Sequence, residues 1–218
     1  MKREGMASRI VIAILGILLI GTGVAWNASA LLGNDPVGIL YDGVRSIGNL
    51  TGEQLGIASN IVNIALVVLL FFIGRRYVNI GTFIYILPYG VAVDLGTKMY
   101  QFLFHGNAMG TRILAAATGC LLLYIGIAIY IVVDIGLDPF TGVVMVIKDA
   151  LHLEYRKVKI GFDLCLIAIG FLLGGKLGVI TIITALSAGP CIQFFATQFK
   201  KVELQLMKMR RHTNPSFE

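Results

Sequence analysis

The stretch GVAWNASALLGNDP at 23–36 returns as GIAIYIVVDIGLDP at 126–139, an offset of 103. Gly23/Gly126, Ala25/Ala128, Gly33/Gly136, Asp35/Asp138 and Pro36/Pro139 coincide. At the same offset Arg45 meets Lys148, Leu50 meets Leu153, Ile57 meets Ile160 and Asn60 meets Asp163. Further on the offset becomes 100, where FFIGRRYVNIGT (71–82) aligns with FLLGGKLGVITI (171–182) and keeps Gly74/Gly174, Arg76/Lys176 and Ile80/Ile180. Matched Gly and Pro are harder to obtain by chance than matched Leu and Ile. The pattern predicts a duplicated unit of about 100 residues.

Each copy is apolar. Of the 218 residues 57% are hydrophobic and 14% charged, against roughly 25% charged in a soluble domain. That excludes a soluble domain with a charged shell, a disordered chain and a nucleic-acid-binding module. Six apolar stretches stand out, at 10–32, 57–73, 79–104, 113–136, 160–175 and 177–199. A hydrocarbon core of about 30 Å needs about 20 helical residues, so four stretches cross readily and the two short ones cross with snorkelling flanks. No period-2 alternation favours a barrel. Residues 35–50 and 138–153 each start Asp-Pro, a good helix start in which Asp caps and Pro fits the first turn. Each has too short an apolar part for a comfortable crossing and reads as a re-entrant or interfacial half-helix.

The expected fold is an all-α polytopic membrane protein. It has six transmembrane helices, two Asp-Pro half-helices, and two three-span units forming a pseudo-symmetric inverted repeat. Residues 1–218 form one membrane domain, with repeats at 10–104 and 113–199 and a basic tail at 200–218. An odd number of spans per unit turns the second copy upside down. With the N-terminus inside, 14 basic residues fall inside and 4 outside (Arg45, Lys98, Arg112 and Lys176), a strong orientation signal. Full crossing by the Asp-Pro segments would give eight spans and parallel units, with Arg75 and Arg76 outside; six spans is the expectation. The basic start and Ala28-Ser29-Ala30 resemble a signal peptide. The long apolar run and its return in mid-chain argue against one.

The segments GTGVAWNASALLGNDP, GIASNIVNIALVV and VNIGTFIYILPYGVAVDLG, echoed by IGLDPF and GVITIITALSAGP, resemble the YczE/YyaS/YitT family of bacterial integral membrane proteins, closest to the YczE branch. The resemblance covers most of residues 10–200. It implies the bacterial cytoplasmic membrane, with both termini cytoplasmic, and supplies no functional residues. The third span departs from a common pattern, being LPYG in one half and AGP in the other.

Helix breaks are expected at Pro36 and Pro139, and at Pro88, Gly90, Gly189 and Pro190 in the third and sixth spans. Half-helix N-termini suit anions, but Asp35 and Asp138 occupy them, as plain caps or as gate or ion ligands. Asp94 and Lys98 are four residues apart and fall on one face, where they can pair. Asn60 and Asp163 are equivalent, and Asn63 lies one turn beyond Asn60; they line a cavity or hydrogen-bond between helices. Asn27 lies in the first span near Trp26, with Tyr130 in the fourth; the rings pack, form a belt or touch a ligand. Gly16, Gly21, Gly23, Gly170 and Gly174 read as close helix packing. The tail, with Val202, Leu206 and Met209 on one side, reads as an inner-leaflet anchor.

Cys120, Cys165 and Cys191 lie in apolar runs, and His105, His152 and His212 are dispersed, so no metal is expected. No enzyme signature occurs and no cofactor is expected. The partners are the lipid bilayer and an unidentified small solute, organic or anionic, and not nucleic acid; a homo-oligomer stays open. The leading expectation is a secondary transporter working by alternating access. The alternatives are a membrane scaffold or regulator acting with a partner complex, or a channel.

Overall fold

In the computed structural model, residues 2–104 and 108–213 are described. His105 and Gly106 lie outside them, as do the tail's side chains from Leu206 onward. Eight α-helices run in order among the described residues: α1 (Lys2–Ala30), α2 (Pro36–Ile47), α3 (Leu55–Ile73), α4 (Ile80–Leu103), α5 (Met109–Val133), α6 (Pro139–Leu151), α7 (Tyr155–Leu172) and α8 (Val179–Thr213). Five segments are long and apolar enough to cross a membrane: Met6–Ala30, Gly52–Ile73, Ile80–Leu103, Met109–Val133 and Val179–Gln205. Their outer faces carry Phe72, Leu87, Phe102 and Leu186, all at least 74% exposed. That surface suits lipid and not water. Among the described residues the regular structure is all helical, and five such segments suit a polytopic membrane protein. The α7 helix begins with Arg156, Lys157 and Lys159 and carries Asp163, which keeps it from reading as a plain apolar span.

The α2 and α6 helices are short by construction. Asp35 and Asp138 cap them and Pro36 and Pro139 take the first turn, a placement that uses Pro where no N–H is needed. At 1.5 Å per residue they reach only about 20 Å, short of a full crossing. Both Asp-Pro breaks therefore fall where the sequence places them.

The core is built on α1 and α5, packed against each other in opposite directions. Arg9 Nε donates to Val133 O at 2.8 Å, and Arg112 Nε donates to Ala30 O at 2.7 Å. Between these end contacts the backbones nearly touch. A Cβ on Gly23 would sit 2.5 Å from Gly119 O, and one on Gly126 would sit 2.6 Å from Gly16 O. Only glycine permits that approach. The contacts recur every seven residues, at 9, 16, 23 and 30 on α1 against 133, 126, 119 and 112 on α5. A seven-residue repeat keeps one face of each helix turned to the other.

The connections ahead of the half-helices dock across the molecule. Ile180 N donates to Leu32 O at 3.0 Å, placing the segment before α2 on the start of α8. Thr82 Oγ1 donates to Leu137 O at 2.8 Å, placing the segment before α6 on the start of α4. The α2 helix packs on α7 and α3, and α6 packs on α3 and α7.

Three expectations change. The α4 helix runs unbroken through Pro88 and Gly90, and α8 runs unbroken through Gly189 and Pro190. One missing N–H does not end a helix whose remaining ladder is intact and shielded by neighbours. The tail is not a separate element but a continuation of α8 to Thr213. Gly170 packs closely as expected, since a Cβ there would lie 2.7 Å from the Ile39 carbonyl of α2, but Gly174 is not a helix-packing residue, having left the helix at φ +93°.

Matched helices differ in their neighbours. The α4 helix packs along both α1 and α3, whereas α8 packs chiefly along α5. Accordingly 56% of the α4 span is buried, against 17% of the α8 span.

Candidate functional site

The half-helices converge on a cluster of aromatic rings. Tyr41 of α2 contacts Phe140 of α6 at 5.8 Å between centroids and Tyr89 of α4 at 5.6 Å. Tyr85 stacks on Tyr89 at 5.0 Å, and Tyr130 of α5 meets Tyr85 edge-on at 5.5 Å. Phe162 of α7 lies 6.4 Å from Phe140. All but Phe162 are buried. Two hydroxyls have defined partners: Tyr41 donates to Asn63 Oδ1 at 3.3 Å, and Tyr130 donates to Gly81 O at 3.2 Å.

The predicted polar residues gather partly around this cluster. Asp138 is a full cap, its Oδ1 accepting from Phe140 N at 3.1 Å and Thr141 N at 3.0 Å. Asp35 caps through Oδ2, which accepts from Val37 N at 3.2 Å, while its Oδ1 is buried without a partner. The charge of Asp35 reaches Tyr41, Tyr85 and Tyr89, and that of Asp138 reaches Tyr41, Tyr85 and Tyr130. Asn63 is fully buried with Nδ2 unpartnered. Asn27 is also fully buried; its Oδ1 accepts from Cys120 Sγ at 3.8 Å and its Nδ2 lacks a partner. Asn60 packs into the space left by Gly90, where a Cβ would lie 2.2 Å from Nδ2. Its Oδ1 is buried without a partner. Asn27, Asp35, Asn60 and Asn63 thus each keep one buried side-chain atom without a protein partner.

Two pairings differ from expectation. Asp94 does not form an ion pair with the exposed Lys98 among the described contacts; its Oδ1 accepts from Gly56 N at 2.8 Å. It thereby serves the start of α3, where helix N–H groups are otherwise free. Asn60 and Asp163 do not share one cavity wall. Asn60 faces Gly90, while Asp163 pairs with Lys159 one turn earlier on α7. Because α7 begins at Tyr155, Lys159 lies inside the helix and not ahead of it. Pro88 and Tyr89 follow each other on α4, and Gly189 and Pro190 are exposed on α8 away from the cluster. Trp26 Nε1 donates to Gly96 O at 3.1 Å and its ring meets Phe104 at 5.0 Å, so it ties α1 to α4.

The sequence reading missed Tyr41, Tyr85, Tyr89 and Asn34. Tyr85 and Tyr89 are spaced to share a helical face, a signal that was present. Asn34, buried beside Asp35, donates to Val24 O at 3.2 Å.

Two openings flank this interior. A cavity of about 700 Å³ is lined by Asn34, Asp42, Arg45, Glu53, Gln101 and Lys176 among others. Within it Asp42 Oδ1 accepts from Arg45 Nε at 2.9 Å, and Oδ2 accepts from Lys176 N at 3.0 Å. A shallower one of about 490 Å³ is lined by Arg76, Lys148, Asp149, His152 and Leu153. There Asp149 is bound by Arg76 and the Tyr77 hydroxyl. The hydrogen bond to Asp149 raises the Tyr77 phenol above its ordinary value. Arg45 and Lys148 are matched by the sequence offset of 103, and Lys176 and Arg76 by that of 100. Each opening thus combines cations matched by the sequence offsets with acidic residues, Asp42 and Glu53 at one and Asp149 at the other.

Comparison with known proteins places the chain without assigning a role. An uncharacterized protein of Haemophilus influenzae is 28% identical over 186 residues, covering 85% of this chain and 81% of that one. No solved structure matches. Residues 7–197 match DUF6198, a family of unknown function, and the chain belongs to that family.

Proposed function

We propose that the protein is a secondary transporter of a small solute, built from two inverted three-span units, with α3, α7 and the four longest helices crossing the membrane. In this reading α1, α3 and α4 form one unit and α5, α7 and α8 the other, with α2 and α6 as re-entrant half-helices. The charged start of α7 lies at the inner surface and Asp163 lies deeper. The 14 to 4 distribution of basic residues supports both termini on the cytoplasmic side of a bacterial cytoplasmic membrane. Kinship with the YczE/YyaS/YitT family is part of this reading.

The observation that carries it is the pair of openings lined by matched residues, Arg45 and Lys176 at one and Lys148 and Arg76 at the other. Inverted halves produce two such entrances by symmetry, and rocking about a shared axis opens them in turn. The glycine seam of α1 and α5 supplies that axis, because it lies between the halves and pairs each helix with its counterpart. The two half-helices meet through Tyr41 and Phe140, and transporters of this plan hold solute at such broken helices.

The test is a thermal-shift screen of the purified protein against a metabolite library, followed by counterflow of any stabilising solute in proteoliposomes. The reading expects a stabilising solute that exchanges across the vesicle membrane. A protein that answers to no solute and co-purifies with a stable partner complex would be a scaffold.

A further inference from the structure

The two openings carry matched cations but unlike charge. Arg45 and Lys176 line the first together with Asp42 and Glu53, so its formal charges cancel. Arg76 and Lys148 line the second with Asp149 as its one acid, and His152 adds an imidazole. The neighbouring sequence widens the difference. At the offset of 103, Glu53 meets Arg156 and Gln54 meets Lys157. An acid and an amide at one end are thus basic at the other, and the second opening is the electropositive one.

The local structure holds these cations at the edge of an apolar surface. Gly74 ends α3, and the single turn Arg75–Tyr77 follows it. Gly74 packs on Val146 of α6 with no room for a Cβ, which sets the turn beside Lys148 and Asp149. Arg76 and the Tyr77 hydroxyl both donate to Asp149 Oδ2, and Lys148 Nζ lies 3.5 Å from Oδ1. Arg76 makes that contact through Nη2 and its side chain is 68% exposed, so a guanidinium with five N–H donors has donors to spare. The Arg75 guanidinium rests on the Phe71 ring at 4.9 Å. Phe71, Phe72 and Ile73 at the end of α3 are exposed, as are Leu151 and Leu153 at the end of α6. Cations bordering exposed rings and aliphatic chains match a molecule that is anionic at one end and apolar at the other.

We propose that the second opening seats the phosphate of an anionic phospholipid. Arg76, Lys148 and His152 hold the headgroup, Asp149 fixes Arg76 in place, and the acyl chains run along Phe72 and Leu153. A soluble anion would meet the cations but leave the apolar border bare. A zwitterionic headgroup would bring its own ammonium to the same cations. The site does not depend on transport. It rests on the orientation proposed above only for its leaflet, because that orientation turns the opening to the cytoplasmic side, where the lipid surface is negative.

The experiment titrates phosphatidylglycerol into the full-length protein in a neutral detergent and reads the unfolding temperature. Phosphatidylcholine with the same acyl chains and soluble glycerol 3-phosphate run in parallel. Phosphatidylglycerol alone is expected to stabilise. Lys148→Gln leaves Arg76 and Tyr77 on Asp149 and is expected to weaken the apparent lipid affinity about fivefold, the scale of one basic residue at an anionic surface. Lys98→Gln removes an exposed cation 18 residues along α4 from its start at Ile80, about 27 Å away along the axis, and is expected to leave the affinity unchanged. Equal stabilisation by phosphatidylcholine would overturn the site, and equal stabilisation by glycerol 3-phosphate would replace the lipid with a soluble phosphate. Equal weakening by Lys98→Gln and Lys148→Gln would overturn it too, as general charge attraction. The lipid comparison on the wild-type chain decides even where a variant does not fold. Micelles have no inner face, so the titration does not depend on orientation. A failed titration removes the site and keeps the proposed orientation, whereas labelling of position 76 from outside the cell removes the leaflet and keeps the site.

Discussion

Arg112 closes the end of α1 by donating to the Ala30 carbonyl at 2.7 Å, and Arg9, 103 residues earlier, closes the end of α5 on Val133 in the same way. Helix carbonyls at a C-terminus have no intrahelical donor, and a guanidinium satisfies two at once. Arg112 also reaches Leu31 O, and Arg9 also reaches Asp134 O. Replacing either Arg with Ala is expected to lower stability by about 1.5–3 kcal/mol, the range for hydrogen bonds to charged groups. Lys restores part of it. Thermal unfolding in detergent reads the loss; no change in either variant would show the caps to be idle.

The seam between these caps predicts a sharp dependence on position. Gly23→Ala places a methyl 2.5 Å from Gly119 O, so the helices must part. Overpacking of that kind costs about 1–3 kcal/mol. Gly110→Ala, with nothing within 4 Å, is expected to be neutral or slightly stabilising. Equal melting temperatures for the two variants would contradict the close approach.

Asp94 is expected to act on α3 and not on Lys98. Lys98→Ala then leaves stability within about 0.5 kcal/mol, as for an ordinary surface change. Asp94→Ala costs about 1 kcal/mol or more by freeing the Gly56 N–H, and Asp94→Asn recovers most of that. A double variant losing less than the two single losses together would instead show a coupled ion pair.

The two short capped helices and the close helix crossing were legible because Asp-Pro and glycine are local constraints. A half-helix needs its cap at Asp35 and Asp138, and a close crossing needs Gly23 and Gly126. The tyrosine centre was not legible, because Tyr41, Tyr85 and Tyr130 come together only through the packing of three helices. Lys159 precedes the apolar run that begins at Ile160, yet the helix begins at Tyr155 and holds it. Pro88 and Pro190 misled for a related reason. Whether proline ends a helix depends on the ladder and the neighbours around it, and sequence spacing does not carry that.

The most direct test of the account concerns Lys176 and Arg76, matched positions at the two openings. In a cysteine-free background lacking Cys120, Cys165 and Cys191, each is changed to Cys and labelled in intact cells with a membrane-impermeant maleimide. Inverted halves predict that Lys176→Cys reacts from outside, and that Arg76→Cys reacts only after the membrane is permeabilised. Labelling of both from the same side would contradict the inverted arrangement, and with it the alternating entrances.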